Sequence, residues 1–270
     1  MDKQEIIQMS RSGVFAIEYF KGDTICGSGS GFMVAGYLVT NHHVYSGAVD
    51  CRVVIVYQPH KESLERRCVN LTCEEFRGSL VSGSDENNLD YAILNIPSLN
   101  CAVEKVFNFD LNPDHPQMLG DEVIALGFPL YSNTLVAQFG RISSIAWFND
   151  AKAIQIDCCI NSSNSGGPLI CAKTGDVIGI VTKKAYGFSN AMPDLKKWLD
   201  SSISNFSNSL DEYRLSSSKR YDKSIDVAAA FSIVTRQVQQ IITEMERSAN
   251  VGIAYALTID ELKSKIDQLK

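Results

Sequence analysis

The segment Asn161-Ser-Ser-Asn-Ser-Gly-Gly-Pro-Leu169 carries a serine, Ser165, followed directly by two glycines. A nucleophilic hydroxyl is served by such neighbours. Glycine admits a tight turn and lets a substrate backbone approach, and the amides of such a turn can aim at a developing oxyanion. The same letters also suit a polar hairpin loop. Tyr37-Leu-Val-Thr-Asn-His-His-Val44 is a β-rich run that delivers a histidine to a strand end. An imidazole can activate a hydroxyl, although a strand-end histidine alone is ordinary. On a strand, His42 and His43 would point to opposite faces, so at most one of them belongs to a site. Asn87-Asn-Leu-Asp-Tyr-Ala-Ile-Leu94 leads from Asp90 into an apolar strand. A carboxylate partly buried beside an imidazole fixes its tautomer and stabilises the imidazolium. Alone, Asp90 reads equally as a strand-initiating turn residue.

Together the three segments are specific. Histidine, aspartate and serine follow one another at spacings of 47 and 75 residues. That order is the chymotrypsin order and differs from subtilisin and the α/β-hydrolases. Gly27, Gly29 and Gly31 do not complete a dinucleotide-binding fingerprint, and no P-loop or His-Glu-x-x-His is present. The segments GSGSGF, LVTNHHV, LDYAIL and NSSNSGGPL resemble the protease domain of the trypsin-like superfamily, closest to the Deg (high-temperature-requirement, HtrA) type. That pattern has valine after the histidine, which selects His43. The resemblance covers about 12–183 and resumes at 251–270, with no PDZ-like region read after it. It implies a mainly β fold of two antiparallel six-stranded barrels with the active site between them. Ser165 is then the nucleophile of a serine endopeptidase, His43 the general base and Asp90 the residue that orients it. The backbone around Ser163, Asn164 and Ser165 supplies the oxyanion hole, water hydrolyses the acyl-enzyme, and no metal or cofactor is needed.

This sequence departs from that pattern in places. Ser163 stands where relatives usually carry the glycine that donates one oxyanion N–H. A serine resists left-handed backbone angles, which predicts a hole that is mobile or inverted at rest. Asn164 replaces the aspartate that pairs with a new N-terminal ammonium in trypsin-type zymogens, so activity is expected without N-terminal processing. By alignment, Cys159 falls near the base of the specificity pocket. Thr182, Lys183 and Lys184 fall along one wall, and Gly252 and Ala254 along another. No acidic residue lies at the base, which argues against a Lys or Arg preference and for a small or medium apolar one. Lys183 reads equally as a solvated strand-end lysine.

Positioning these groups requires a β-rich framework. GVFAIEYF, SGFMVAG, YLVTN, CRVVIVY, LDYAILNI, DEVIALGF, AKAIQID and DVIGIVT are short runs rich in Val, Ile and aromatics, the signature of a sandwich or barrels. The expected organisation is a first β unit over 12–97 with His43 and Asp90 and a linker over 98–120. A second unit over 121–189 and 249–270 carries Ser165. Between its parts, 190–248 reads as a helical hairpin insertion. Val227, Phe231, Val234, Val238, Ile241 and Met245 step along it in a heptad-like seam. That seam either packs on the second unit or receives a partner or second copy, leaving open a latent or inactive protease-fold binding protein controlled there. VGIAYAL then leads into Thr258-Ile-Asp-Glu261, a capping-box pattern for a terminal helix with Leu262, Ile266 and Leu269 inward.

Composition narrows the partners. With 45% hydrophobic and 21% charged residues in 270, the chain can build a sizeable core. The formal net charge of -6 and the lack of a basic run argue against a nucleic-acid partner. No apolar stretch suits a signal peptide or a membrane span, so a cytoplasmic location is expected. The eight cysteines are then expected to be free thiols, without a zinc site. The partner left is a protein or peptide substrate.

Overall fold

The computed structural model describes residues 2–57, 66–85, 87–101, 106–129, 134–148, 151–161, 163–182 and 253–270. Within 183–252 it describes only 198, 201, 233–238, 240 and 241. Contacts divide the chain into two compact units, Met1–Lys184 with Gly252–Lys270, and Ala185–Val251.

The first unit opens with α1 (Lys3–Ser10), which the sequence reading did not anticipate. Asp2 N–H donates to Glu5 Oε2 at 3.0 Å across its first turn, a short-range cap that suffices to start a helix. A 3-10 turn, Arg11–Gly13, delivers the chain to β1 (Val14–Lys21). There follow β2 (Thr24–Val34), β3 (Tyr37–Thr40), α2 (His42–Ser46), β4 (Arg52–Tyr57), β5 (Arg67–Thr72), α3 (Cys73–Gly78), β6 (Leu80–Ser84) and β7 (Tyr91–Leu94). These strands form one antiparallel seven-stranded sheet in the order β5-β4-β1-β2-β3-β7-β6. Among the described residues its end strands, β5 and β6, are not paired with each other, so the first unit is a seven-stranded sheet where a closed six-stranded barrel was expected. α3 joins the two ends. The Thr72 hydroxyl accepts the Glu75 N–H at 3.1 Å, and Glu75 Oε2 accepts the Thr72 N–H at 2.8 Å. This capping box starts α3 directly at the end of β5.

After α4 (Pro97–Cys101) come β8 (Glu122–Gly127), β9 (Val136–Phe148), β10 (Ala151–Ile156), β11 (Pro168–Cys171), β12 (Val177–Thr182) and β13 (Ala254–Leu257). They close a six-stranded barrel in the order β10-β13-β12-β11-β8-β9. The last helix, α5 (Asp260–Leu269), buries Leu262 and Ile266 as expected from their spacing, with Leu269 partly buried beside them. Its expected capping box does not form: Ile259 holds the N-cap position without a side-chain cap. Glu261 is engaged elsewhere, its Oε1 accepting the Tyr91 hydroxyl at 2.7 Å. Burial and that carboxylate push the Tyr91 phenol above its ordinary pKa.

The core explains the unbroken apolar strands. On β1, Phe15, Ile17 and Tyr19 face a cluster with Met33, Leu38, Ile55, Phe76 and Leu94 inside the first sheet. Val14 and Ala16 face the opposite way, into a cluster shared with Ile124, Leu126 and Ile170 of the barrel and Leu262 and Ile266 of α5. With both faces covered, polar alternation disappears. Each large apolar side chain so buried contributes about 1.5–3 kcal/mol. The two sheets are therefore welded by a common core, and the groups they carry share one frame.

In the second unit, residues 198, 201, 233–238, 240 and 241 are helical. Val234, Val238 and Ile241 of the expected seam are exposed, while Thr235 is buried. The remainder of the 190–248 helical hairpin lies outside the described residues.

Candidate active site

β3 ends at Thr40, and Asn41 takes extended angles at the N-cap of α2. His42 and His43 are thus the first residues of a short helix, which corrects the expectation of a strand end. Their directions differ by about a third of a turn, not by opposite faces. His43 is the one aimed at Asp90. Its Nδ1 lies 2.8 Å from Asp90 Oδ2, and its own N–H donates to Asp90 Oδ1 at 3.0 Å. The carboxylate thus grips both the ring and the backbone of one residue. His42 instead packs its ring on Tyr45, 5.7 Å between centroids.

Asp90 is fully buried. A buried carboxylate requires donors, and of three further bonds that hold this residue one reaches the carboxylate and two its main chain. Thr182 Oγ1 donates to Oδ2 at 3.3 Å, and Asn41 Nδ2 donates to the Asp90 carbonyl at 2.8 Å. The Asp90 N–H donates to the Asp85 carbonyl at 2.9 Å. Asp90 itself holds φ +44°, in the left-handed region, which aspartate tolerates better than most residues. The preceding turn holds it there: Asp85 Oδ1 accepts from Asn87 N–H at 2.9 Å and Asn88 Nδ2 at 3.0 Å.

Ser165 is nearly buried in a turn between the loop after β10 and the start of β11. Backbone bonds lock that turn: Gly166 N–H to Val181 O at 2.9 Å, Val181 N–H to Gly167 O at 2.8 Å, and Gly167 N–H to Asn164 O at 3.0 Å. Gly166 has φ +89°, and a Cβ there would sit 2.1 Å from Ser30 O and 2.2 Å from Thr40 Oγ1. Only glycine lets the nucleophile turn press against β2 and β3 so closely. Ser30 N–H then donates to Ser165 O at 2.8 Å, tying the two sheets at the serine itself.

Ser163 adopts the angle the sequence argued a serine would resist, φ +75°. Its carbonyl accepts Ser30 Oγ at 2.7 Å and its hydroxyl pairs with Ser28 Oγ at 2.5 Å. Asn164 donates from Nδ2 to Gln138 Oε1 at 3.0 Å, and Gln138 Nε2 in turn donates to the Cys159 carbonyl.

The residues aligned to the specificity pocket separate. Cys159 is exposed. Thr182 is buried with its hydroxyl on the Asp90 carboxylate. Ala254 is buried in the barrel, in one cluster with Ile156, Cys158 and Ile160. Lys183, Lys184 and Gly252 lie outside the described residues. Among those described, no group of His, Cys, Asp and Glu suits a metal ion, and no helix is long and apolar enough to cross a membrane. Ser28, Ser30 and Gln138 were not singled out from sequence. The only hint was the alternation Gly27-Ser-Gly-Ser-Gly31.

The chain is 32% identical to the serine protease Do-like HtrB of Bacillus subtilis over 189 residues, 63% of this chain and 36% of that one. It is 32% identical to the chloroplastic protease Do-like 5 of Arabidopsis thaliana over 185 residues, 62% of this chain and 52% of that one. The chain therefore spans between about a third and a half of those relatives' lengths. The crystal structure of Deg5 superposes with a TM-score of 0.54 at 26% identity, covering 67% of this chain and 84% of that one. Residues 29–180 match the trypsin-like peptidase domain, a span that contains His43, Asp90 and Ser165, and the chain belongs to that family.

Proposed function

We propose that the chain is a serine endopeptidase in which Ser165 attacks the scissile carbonyl and His43 takes and returns the proton. Asp90 keeps the imidazole in the tautomer whose Nδ1–H faces the carboxylate. That leaves Nε2 free to accept the serine proton, and the developing imidazolium lies beside a buried negative charge. The backbone amides of Ser163 and Ser165 stabilise the tetrahedral oxyanion, with Asn164 between them shaping the turn. The acyl-enzyme at Ser165 is then hydrolysed by water activated by the same histidine. The observation that carries this reading is the double grip of buried Asp90 on His43, at 2.8 Å to the ring and 3.0 Å to the backbone.

The substrate class is protein or peptide, with a small or medium apolar side chain before the scissile bond. Asn164 is bonded to Gln138 Oε1 at 3.0 Å and offers no carboxylate to a newly cut N-terminal ammonium, which supports activity without N-terminal trimming. The unpaired thiols of exposed Cys26, Cys68 and Cys159 favour a reducing, cytoplasmic setting.

The test is fluorophosphonate labelling of the intact purified chain, with Ser165→Ala as control. Stoichiometric labelling that disappears in Ser165→Ala is expected. A folded wild type that stays unlabelled defeats the reading and leaves a latent or inactive protease fold.

A further inference from the structure

Ser163 combines two features that do not ordinarily coexist, a side chain and a left-handed backbone at φ +75°. A serine left to itself avoids that region, so something must hold it. Among the described residues, the side chains that bond Ser163 come from one strand of the other sheet. In β2, Ser28 and Ser30 are two residues apart and so share a face. Ser30 Oγ donates to the Ser163 carbonyl at 2.7 Å and accepts the Phe128 N–H at 3.0 Å. Ser28 Oγ lies 2.5 Å from Ser163 Oγ, across 135 residues of chain. The opposite face is given over to close packing: a Cβ on Gly29 would sit 2.4 Å from Val44 Cγ1, next to the histidine. β2 thus presses on the helix that carries His43 at Gly29 and reaches the nucleophile turn with its serines.

We infer that Ser28 is a positioning residue for the oxyanion turn. Its hydroxyl anchors the hydroxyl of Ser163 and thereby keeps the Ser163 backbone in the left-handed conformation from which its amide serves the oxyanion. The side chain that opposes this conformation is also the handle by which β2 maintains it. A glycine at 163 would need no handle, because it adopts such angles freely. Ser28 and Ser163 therefore form a functional pair, and Ser28 matters only while 163 is a serine. The inference rests on the reading of the 163–165 turn as the oxyanion donor.

The decisive experiment is a double-mutant cycle on the full chain with wild type, Ser28→Ala, Ser163→Gly and the double variant. Two readouts are taken: hydrogen exchange of peptides spanning 161–167, and the second-order rate of fluorophosphonate labelling. Asn164 N–H and Gly167 N–H, bonded to the Asn161 and Asn164 carbonyls, report on the turn. Ser28→Ala is expected to speed their exchange and to slow labelling about tenfold, part of the loss seen when an oxyanion donor is removed. In the Ser163→Gly background the same change should add nothing, and Ser28→Thr, which keeps the hydroxyl, should restore wild-type exchange. Unchanged exchange in Ser28→Ala overturns the inference, as does an equal effect in both backgrounds, which marks a merely structural role for Ser28. Exchange needs no catalysis. If it responds as expected while the wild type fails to label, the Ser28–Ser163 anchor stands and the peptidase reading falls.

Discussion

The two halves of the site are secured by different means. On the seven-stranded sheet, His43 and Asp90 sit on a short helix and a turn, and polar contacts hold them: Thr182 and His43 on the Asp90 carboxylate, Asn41 on its main-chain carbonyl and the Asp85 turn on its N–H. On the closed barrel, Ser165 is held by its backbone, with Gly166 and Gly167 packed so tightly against Ser30, Thr40 and Leu126 that no Cβ fits. A general base must be oriented and electrostatically tuned, which donors and acceptors do well. A nucleophile must be placed to within tenths of an ångström, which close packing of the main chain does well. The first half should therefore be sensitive to loss of polar atoms, and the second to gain of carbon atoms.

The contrast can be broken most severely at Asp90. Asp90→Asn keeps the shape but removes the charge and permits the wrong imidazole tautomer. Fluorophosphonate labelling should fall about 10⁴-fold, equivalent to about 5 kcal/mol, with little change in thermal midpoint. Should the rate fall less than tenfold, side-chain control of the first half is not the rule. Gly166→Ala tests the other half. Its Cβ meets a carbonyl and a hydroxyl at 2.1 and 2.2 Å in a left-handed conformation. A loss of about 3 kcal/mol in denaturant unfolding is expected together with loss of labelling; a stable, reactive variant would show that the turn has slack.

Thr182→Val sharpens the comparison at lower cost. It deletes one donor to a buried carboxylate without changing volume, and labelling should slow about tenfold while unfolding of the barrel barely moves. Thr72→Ala removes the N-cap of α3, remote from the chemistry, and should cost about 1 kcal/mol of stability with labelling per folded molecule unchanged. The smallest effect is a null one. Burial pushes the Cys158 thiol up to about 12, so its thiolate is scarce at pH 8. Iodoacetamide at that pH should leave native Cys158 intact while exposed Cys159 reacts; brisk modification of Cys158 would show that the barrel interior is open to solvent.

Much of the framework was legible. The runs behind β1, β4, β8, β10 and β12 are dense in Val, Ile and aromatics because both faces are covered, and such runs announce themselves. β5, with the pattern Arg67-Cys-Val-Asn-Leu-Thr72, alternates weakly at a sheet end and gave no clear signal. β9 escaped for a different reason. Its 13 residues include Gly140, Ser143 and Ser144, and it serves two partners, pairing with β8 at one end and β10 at the other. The Thr72–Glu75 box caps its helix, whereas the matching Thr258–Glu261 pattern does not. A four-residue pattern does not reveal that Tyr91, 170 residues away, will claim the glutamate.

By itself, the sequence determined which chemical groups are available and in what order: a hydroxyl before two glycines, an imidazole before a valine, a carboxylate before an apolar strand. Those are local properties, because glycine tolerance, capping and apolar periodicity act over a few residues. Tertiary structure decided what the groups meet. It put His43 on a helix facing Asp90, set the Thr182 hydroxyl on that carboxylate, packed Ala254 with Cys158 and Ile160, and set Ser28 against Ser163. Hydrogen bonds depend on separations of tenths of an ångström between groups tens to hundreds of residues apart. Such separations follow from how two sheets share one core, and no short stretch of sequence encodes them.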